Sequence, residues 1–140
     1  MENYNTAMLE YLSQYPELKG YLYFNSSTET QNNTSIQTTY GTAWIKRYQR
    51  GHGIKSYDFA IVFMGQQDSG TSDINALQMF DVDKFMFWID EQNEKKNFPN
   101  FGNANIISIE NLQNQPNFAG VNEAGNVAKY MFQVRVKYYI

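Results

Sequence analysis

The chain has 140 residues, a formal net charge of −3 and no cysteine. One domain of this length buries roughly two-thirds of the surface its unfolded chain exposes, so it folds without staples. The missing cysteines exclude disulfides, thiolate metal sites and thiol nucleophiles, the acidic balance argues against a dedicated nucleic-acid binder, and a 16% aromatic content beside only 18% charged residues favours surfaces that meet other proteins.

Residues 1–10, MENYNTAMLE, lack the basic and apolar segments of a leader, and no apolar run reaches bilayer-spanning length, so synthesis in the cytoplasm without a membrane partner is expected. Tyr4, Ala7, Met8, Tyr11, Leu12 and Tyr15 recur at helical spacing, which predicts a surface helix over residues 3–15, stopped by Pro16. Gly20 marks the entry to a strand over 21–24. Residues 25–34, NSSTETQNNT, carry no large apolar side chain and read as a loop or hairpin tip.

A weak strand over 35–39 and a stronger one over 42–49 come next. Arg50-Gly51-His52-Gly53 makes a turn, from which residues 54–64 return as a hairpin partner. Within that strand Phe59 to Met64, FAIVFM, is apolar in both parities, the pattern of a central strand covered on both faces. The hairpin brings Lys46, Arg47 and Arg50 close to Lys55 at one end of the sheet, a candidate basic contact surface for which net charge favours an acidic groove on a neighbouring subunit over a phosphate backbone.

Residues 65–71 form a loop, and Ser72 is a fair N-cap for a long helix reaching about Glu94. Ile74, Leu77, Val82, Phe85, Trp88 and Ile89 form its main stripe. Phe80 and Phe87 lie on nearly the opposite side, so the middle of the helix is apolar on two faces; either the loop holding Phe98 and Phe101 covers them, or another subunit does. Phe80, Phe87, Phe98 and Phe101 are therefore the candidate subunit interface. A short strand over 105–110 follows, and the long connection over 111–126 is a second candidate contact surface. Residues 126–140 alternate without a break: Tyr130, Phe132, Val134, Val136, Tyr138 and Ile140 on one face, and Lys129, Met131, Gln133, Arg135 and Lys137 on the other. Lys129, Arg135 and Lys137 join the hairpin cations as a candidate basic contact or lumen surface.

Residue types suited to chemistry are sparse. His52, the sole histidine, sits between two glycines on a turn, a poor place for a preorganised base, and one His without Cys cannot supply the usual zinc ligands. Asp81 and Asp83 are two apart on a helix and project away from each other, so with Asp90 and Glu91 they read as a solvated face. Gly51-His52-Gly53 begins no dinucleotide fingerprint, because a strand follows in place of a helix. No catalytic residue, cofactor or metal is expected.

The elements add up to one α+β domain over residues 1–140: a mixed, mainly antiparallel sheet of four to five strands packed with two helices. In this order, Tyr21-Leu22-Tyr23-Phe24-Asn25, Tyr48-Gln49-Arg50-Gly51 before Tyr57-Asp58-Phe59, Trp88 to Asn93 followed by Phe98-Pro99, and the closing strand from Tyr130 to Tyr139 resemble the small minor capsid or tail terminator proteins of long-tailed bacteriophages. The resemblance implies a non-enzymatic virion protein that forms a homo-hexameric ring at the head-proximal end of the tail. Such a ring stops polymerisation of the major tail tube protein and offers a docking surface to the head, with DNA only passing through its lumen. A free subunit can remain monomeric until it meets the tail. A head-completion or connector protein of the neck is the alternative within this class. A small α+β ligand-binding domain or hydrolase, with a pocket between the long helix and the sheet, is the alternative outside it.

Overall fold

The computed structural model describes residues 3–18, 22–24, 33–39, 44–66, 74–121 and 127–140; within these, the side chains of residues 23, 33, 66, 74–80, 119, 121 and 127 are not described. The element order is α1 (Tyr4–Leu12), β1 (Leu22–Phe24), β2 (Asn33–Thr38), β3 (Lys46–Arg47), a 3-10 turn (Gln49–Gly51), β4 (Gly53–Gln66), α2 (Ile74–Lys95), β5 (Asn105–Asn111), β6 (Asn117–Val121) and β7 (Val127–Tyr139). This is an α+β fold with two helices and one mainly antiparallel sheet among the described residues. Its strands number seven, not four to five.

The excess comes from the two longest strands. β4 and β7 pair antiparallel from Ile54↔Tyr139 to Gln66↔Val127, and the outer edge of each is longer than any of the remaining strands. Two short strands therefore share each outer edge. β2 pairs with the second half of β4 and β3 with its start, while β6 pairs with the start of β7 and β5 with its end. β1 adds to β2 in the parallel sense. The connection over residues 111–126 is thus partly a strand, because Asn117–Val121 finds the free edge of β7. Likewise Asn33 and Thr34, expected in a loop, belong to β2. The first hairpin strand, expected over 42–49, shrinks to Lys46–Arg47; residues 42 and 43 lie outside the described residues.

One face of the sheet carries the main core. Phe59, Ile61 and Phe63 of β4 and Tyr130, Phe132, Val134, Val136 and Tyr138 of β7 pack with α1 and with Val82, Phe85, Met86 and Ile89 of α2. Pleating sends the intervening residues to the other face, where Ala60, Val62 and Met64 are buried as a second, smaller cluster beside Met131. FAIVFM is therefore covered on both sides, as its pattern requires. On α2 the expected stripe is buried at Val82, Phe85 and Ile89 and half-buried at Trp88. Ser72 lies outside the described residues.

Asn3 caps α1, its side chain accepting a bond from Thr6 N at 3.1 Å. At the far end of the helix, the Tyr11 hydroxyl donates to the Asn97 carbonyl at 2.7 Å, and Asn97 Nδ2 donates to the buried Gln92 side chain at 2.6 Å. These bonds tie α1 to the C-terminus of α2. Burial pushes the Tyr11 hydroxyl above its usual range, and it holds Tyr57 at about 12; for Tyr15, also at about 12, burial leads and Glu17 adds to it. The unfolded hydroxyls titrate near 10.0, so the folded state favours their neutral form. Stability is expected to be unaffected by these groups below pH 10 and to fall as pH rises from 10 to about 12. Denaturation midpoints measured across that range check this, with a shallower fall expected for Tyr57→Phe.

Candidate functional site

Two surfaces stand out, one at the end of the sheet and one along α2. The first is built by the turn between β3 and β4. Arg50 and Gly51 both take positive φ, 62° and 76°, which reverses the chain within the 3-10 turn. A Cβ on Gly53 would collide with the Lys46 carbonyl and would lie 2.8 and 2.9 Å from two Trp44 ring carbons. Glycine at 53 is what lets the indole lie against the strand. Over that indole sit the Lys55 ammonium, 4.6 Å from the ring centroid, and the Arg47 guanidinium at 5.4 Å, while Lys46 lies 5.3 Å from the Tyr48 ring.

Arg47 and Lys55 thus share the Trp44 indole while Lys46 sits at the neighbouring Tyr48 ring, aromatic side chains that the charge pattern alone did not reveal; Arg50 lies on the exposed turn itself. His52 is exposed and stacks on Tyr139 with centroids 6.3 Å apart and planes 7° apart. Its Nδ1 lies 3.3 Å from the Ile140 carbonyl, and Gly53 and Ile140 exchange backbone bonds of 3.0 and 3.3 Å. These contacts bind the turn to the end of β7. Residues 44–57 hold four cationic side chains and no carboxylate. Among the described residues, no ion pair joins these cations to an acid elsewhere.

Strand pairing changes the reading of the other expected cations. Lys129, Arg135 and Lys137 do share a face of β7, but β4 places Asp58 directly opposite Arg135 and β5 places Glu110 on its other side. The Arg135 guanidinium grips Asp58 with bonds of 2.9 and 3.2 Å, and Lys137 lies 3.5 Å from Glu110, which also accepts from Ser108 Oγ at 2.9 Å. The hydrogen bond to Asp58 is the main reason the Arg135 pKa is raised. Much of this face is internally neutralised, and it does not form a basic wall. The cause is cross-strand register, which cannot be read from one strand.

The second surface is an open groove of about 860 Å³ beside α2, lined by Met86, Phe87 and Trp88 of the helix, by Tyr15, and by residues 113–115 of the β5–β6 connection. Phe87 is 63% exposed in it. Asp83, Asp90, Glu91 and Glu17 add four carboxylates to the lining against the single cation of Lys84, which lies 3.8 Å from Glu17.

Of the four expected interface phenylalanines, only Phe87 is shown with a free ring. Phe101 is 1% exposed and belongs to the core, stacked on Tyr4 at 4.3 Å, because the loop after α2 folds back under α1 instead of over the outer face of α2. Phe98 is half-buried against the same core, and the side chain of Phe80 lies outside the described residues.

A smaller cavity of about 280 Å³ lies between the end of α1, α2 and the sheet, lined by Tyr15, Leu18, Ile61, Phe63, Phe85 and Phe132, with Glu17, Asp81 and Lys84 among its polar groups. No helix among the described residues is long and apolar enough to cross a membrane. Neither a protein-family model nor a curated protein sequence matches this chain.

Proposed function

We propose that this chain is a structural virion protein of the tail-terminator type, a subunit that assembles into a ring, caps the tail tube, stops its polymerisation and presents a surface to the head. The observation that carries this reading is Phe87, a large aromatic ring left 63% exposed in a groove that the described residues leave open. Large aromatic side chains are enriched where protein surfaces meet, and the half-buried Trp88 beside Phe87 extends the ring's apolar surroundings in the groove. The motifs that resemble the terminator family add to it: Trp88 to Asn93 flanks the groove, and Tyr48 to Gly51 forms the basic turn. Major tail tube protein and a head-completion or connector protein are the partners this role requires, and the chain acts by binding rather than by catalysis.

Phe87→Ser is expected to weaken self-association while leaving the melting temperature nearly unchanged, because the removed ring makes little of the core. Light scattering, native mass spectrometry and thermal melts of the variant check this. A ring of about six wild-type subunits, reduced to monomers by the substitution, supports the role; an oligomer mass that the substitution leaves intact sinks it. Arrest of growing tail tubes by added wild-type protein tests the capping function directly, and capture by a head portal in place of the tube end would favour the connector alternative.

The 280 Å³ cavity favours a second reading, a small-ligand-binding domain. A monomer carrying a bound small molecule in native mass spectrometry would support it.

A further inference from the structure

We infer that the groove beside α2 receives the basic, aromatic β3–β4 turn of a second copy of the same chain, so that copies join head to tail. The inference rests on the ring-forming role and specifies its contact. Charge complementarity carries it. The groove combines exposed Phe87 with four carboxylates and one lysine, while the turn combines exposed Tyr48 and the Trp44 indole with four cations and no acid. Each surface thus offers an apolar centre and charge of the sign the other lacks, the arrangement that steers association and fixes register. Arginine and large aromatics are also the residues that dominate binding energy at protein interfaces.

The two surfaces are held apart within one molecule. The turn is fastened to β7 at Tyr139, whereas the groove borders β5 at Asn111, which pairs with Val134. Five residues of strand separate those points, roughly 17 Å along the sheet. A rigid sheet keeps the turn out of its own groove, so occupation must come from a neighbour. Two different patches meeting in this way make a heterologous contact, which closes into a ring when the rotation between copies allows it.

The absence of native cysteine provides a clean test. Gln49→Cys on the turn and Asn114→Cys in the groove lining replace exposed side chains and leave Tyr48 and Phe87 in place, so each full-length variant carries one thiol at one of the two surfaces. When the two variants are mixed and treated with a short bis-maleimide, the mixed dimer is expected to dominate over both self-paired products and to diminish as salt is raised. Adding Arg47→Glu to the Gln49→Cys chain should lower the mixed yield, and Glu91→Arg in the Asn114→Cys chain should restore it. Predominance of self-paired products overturns the inference, since they report an isologous contact. Absence of mixed crosslinks, from wild-type rings or from monomers, overturns the contact and leaves the ring-forming role standing, whereas a wild-type protein that also fails to arrest growing tail tubes removes both. Retention of the turn by single-stranded DNA without mixed dimers overturns it in favour of a nucleic-acid surface.

Discussion

Phe101→Ala is expected to lower folding stability by about 3–5 kcal/mol, whereas Phe87→Ala should change it by no more than about 0.5 kcal/mol. Both are phenylalanines near α2 in sequence, yet they sit in opposite surroundings. The Phe101 ring is stacked on Tyr4 with planes 10° apart and meets the rings of Tyr138 and Tyr57 edge-on at 5.6 and 5.9 Å. Those three rings come from α1, β7 and β4, so Phe101 joins the first helix to both central strands. Tyr4 meets Tyr138 edge-on as well, at 5.3 Å, and such a ring of stiff neighbours cannot collapse into the space that an alanine leaves. The cost therefore includes the empty volume as well as the lost apolar transfer. A loss of this size lowers the melting temperature by roughly 10–20 °C in a domain of this length. Urea unfolding of the two variants checks the contrast. A Phe101→Ala protein as stable as the wild type would return Phe101 to the surface, while a strongly destabilised Phe87→Ala protein would bury Phe87.

What separates Phe87 from Phe101 could be seen only in part from sequence. The helical wheel puts Phe87 off the main stripe, and its exposure follows from that geometry. Nothing local says which way the loop after α2 turns. Lys96 at φ 57° and the bonds among Asn97, Gln92 and Tyr11 direct it under α1, and these are contacts between residues up to 86 apart in sequence. The same division runs through the sheet. Period-two alternation identifies β4 and β7 and the double burial of FAIVFM, since side-chain direction in a strand is a local property. Short edge strands are different: β3 with two residues and β6 with five exist because a longer neighbour offers unpaired backbone groups, and their own composition carries little signal. The basic turn was legible because a hairpin fixes its own register. The neutralisation of Arg135 was not, because Asp58 is 77 residues away and is placed by the pairing of β4 with β7.

Removing that partner should be costly. Arg135→Met is expected to destabilise the fold by about 3–5 kcal/mol, because it leaves the Asp58 carboxylate, with a side chain only 6% exposed, without the guanidinium that compensates its charge. Glu110 on the neighbouring strand opposes Arg135 from the other side, so the loss also leaves two carboxylates flanking an uncharged side chain. Arg135→Lys should recover only part of the stability, since an ammonium cannot reproduce the two-pronged grip on both Asp58 oxygens. The informative variant is the double one. Asp58→Leu with Arg135→Met removes both charges at a position flanked on the same face by Ala60, and it should be far less destabilising than Arg135→Met alone. Denaturation of the two single variants and the double variant measures the coupling directly. Strict additivity of the single effects would show that the ion pair does not hold β4 to β7. A large coupling would show that these charges serve the sheet itself, which leaves the β3–β4 turn as the main basic surface free to meet a partner.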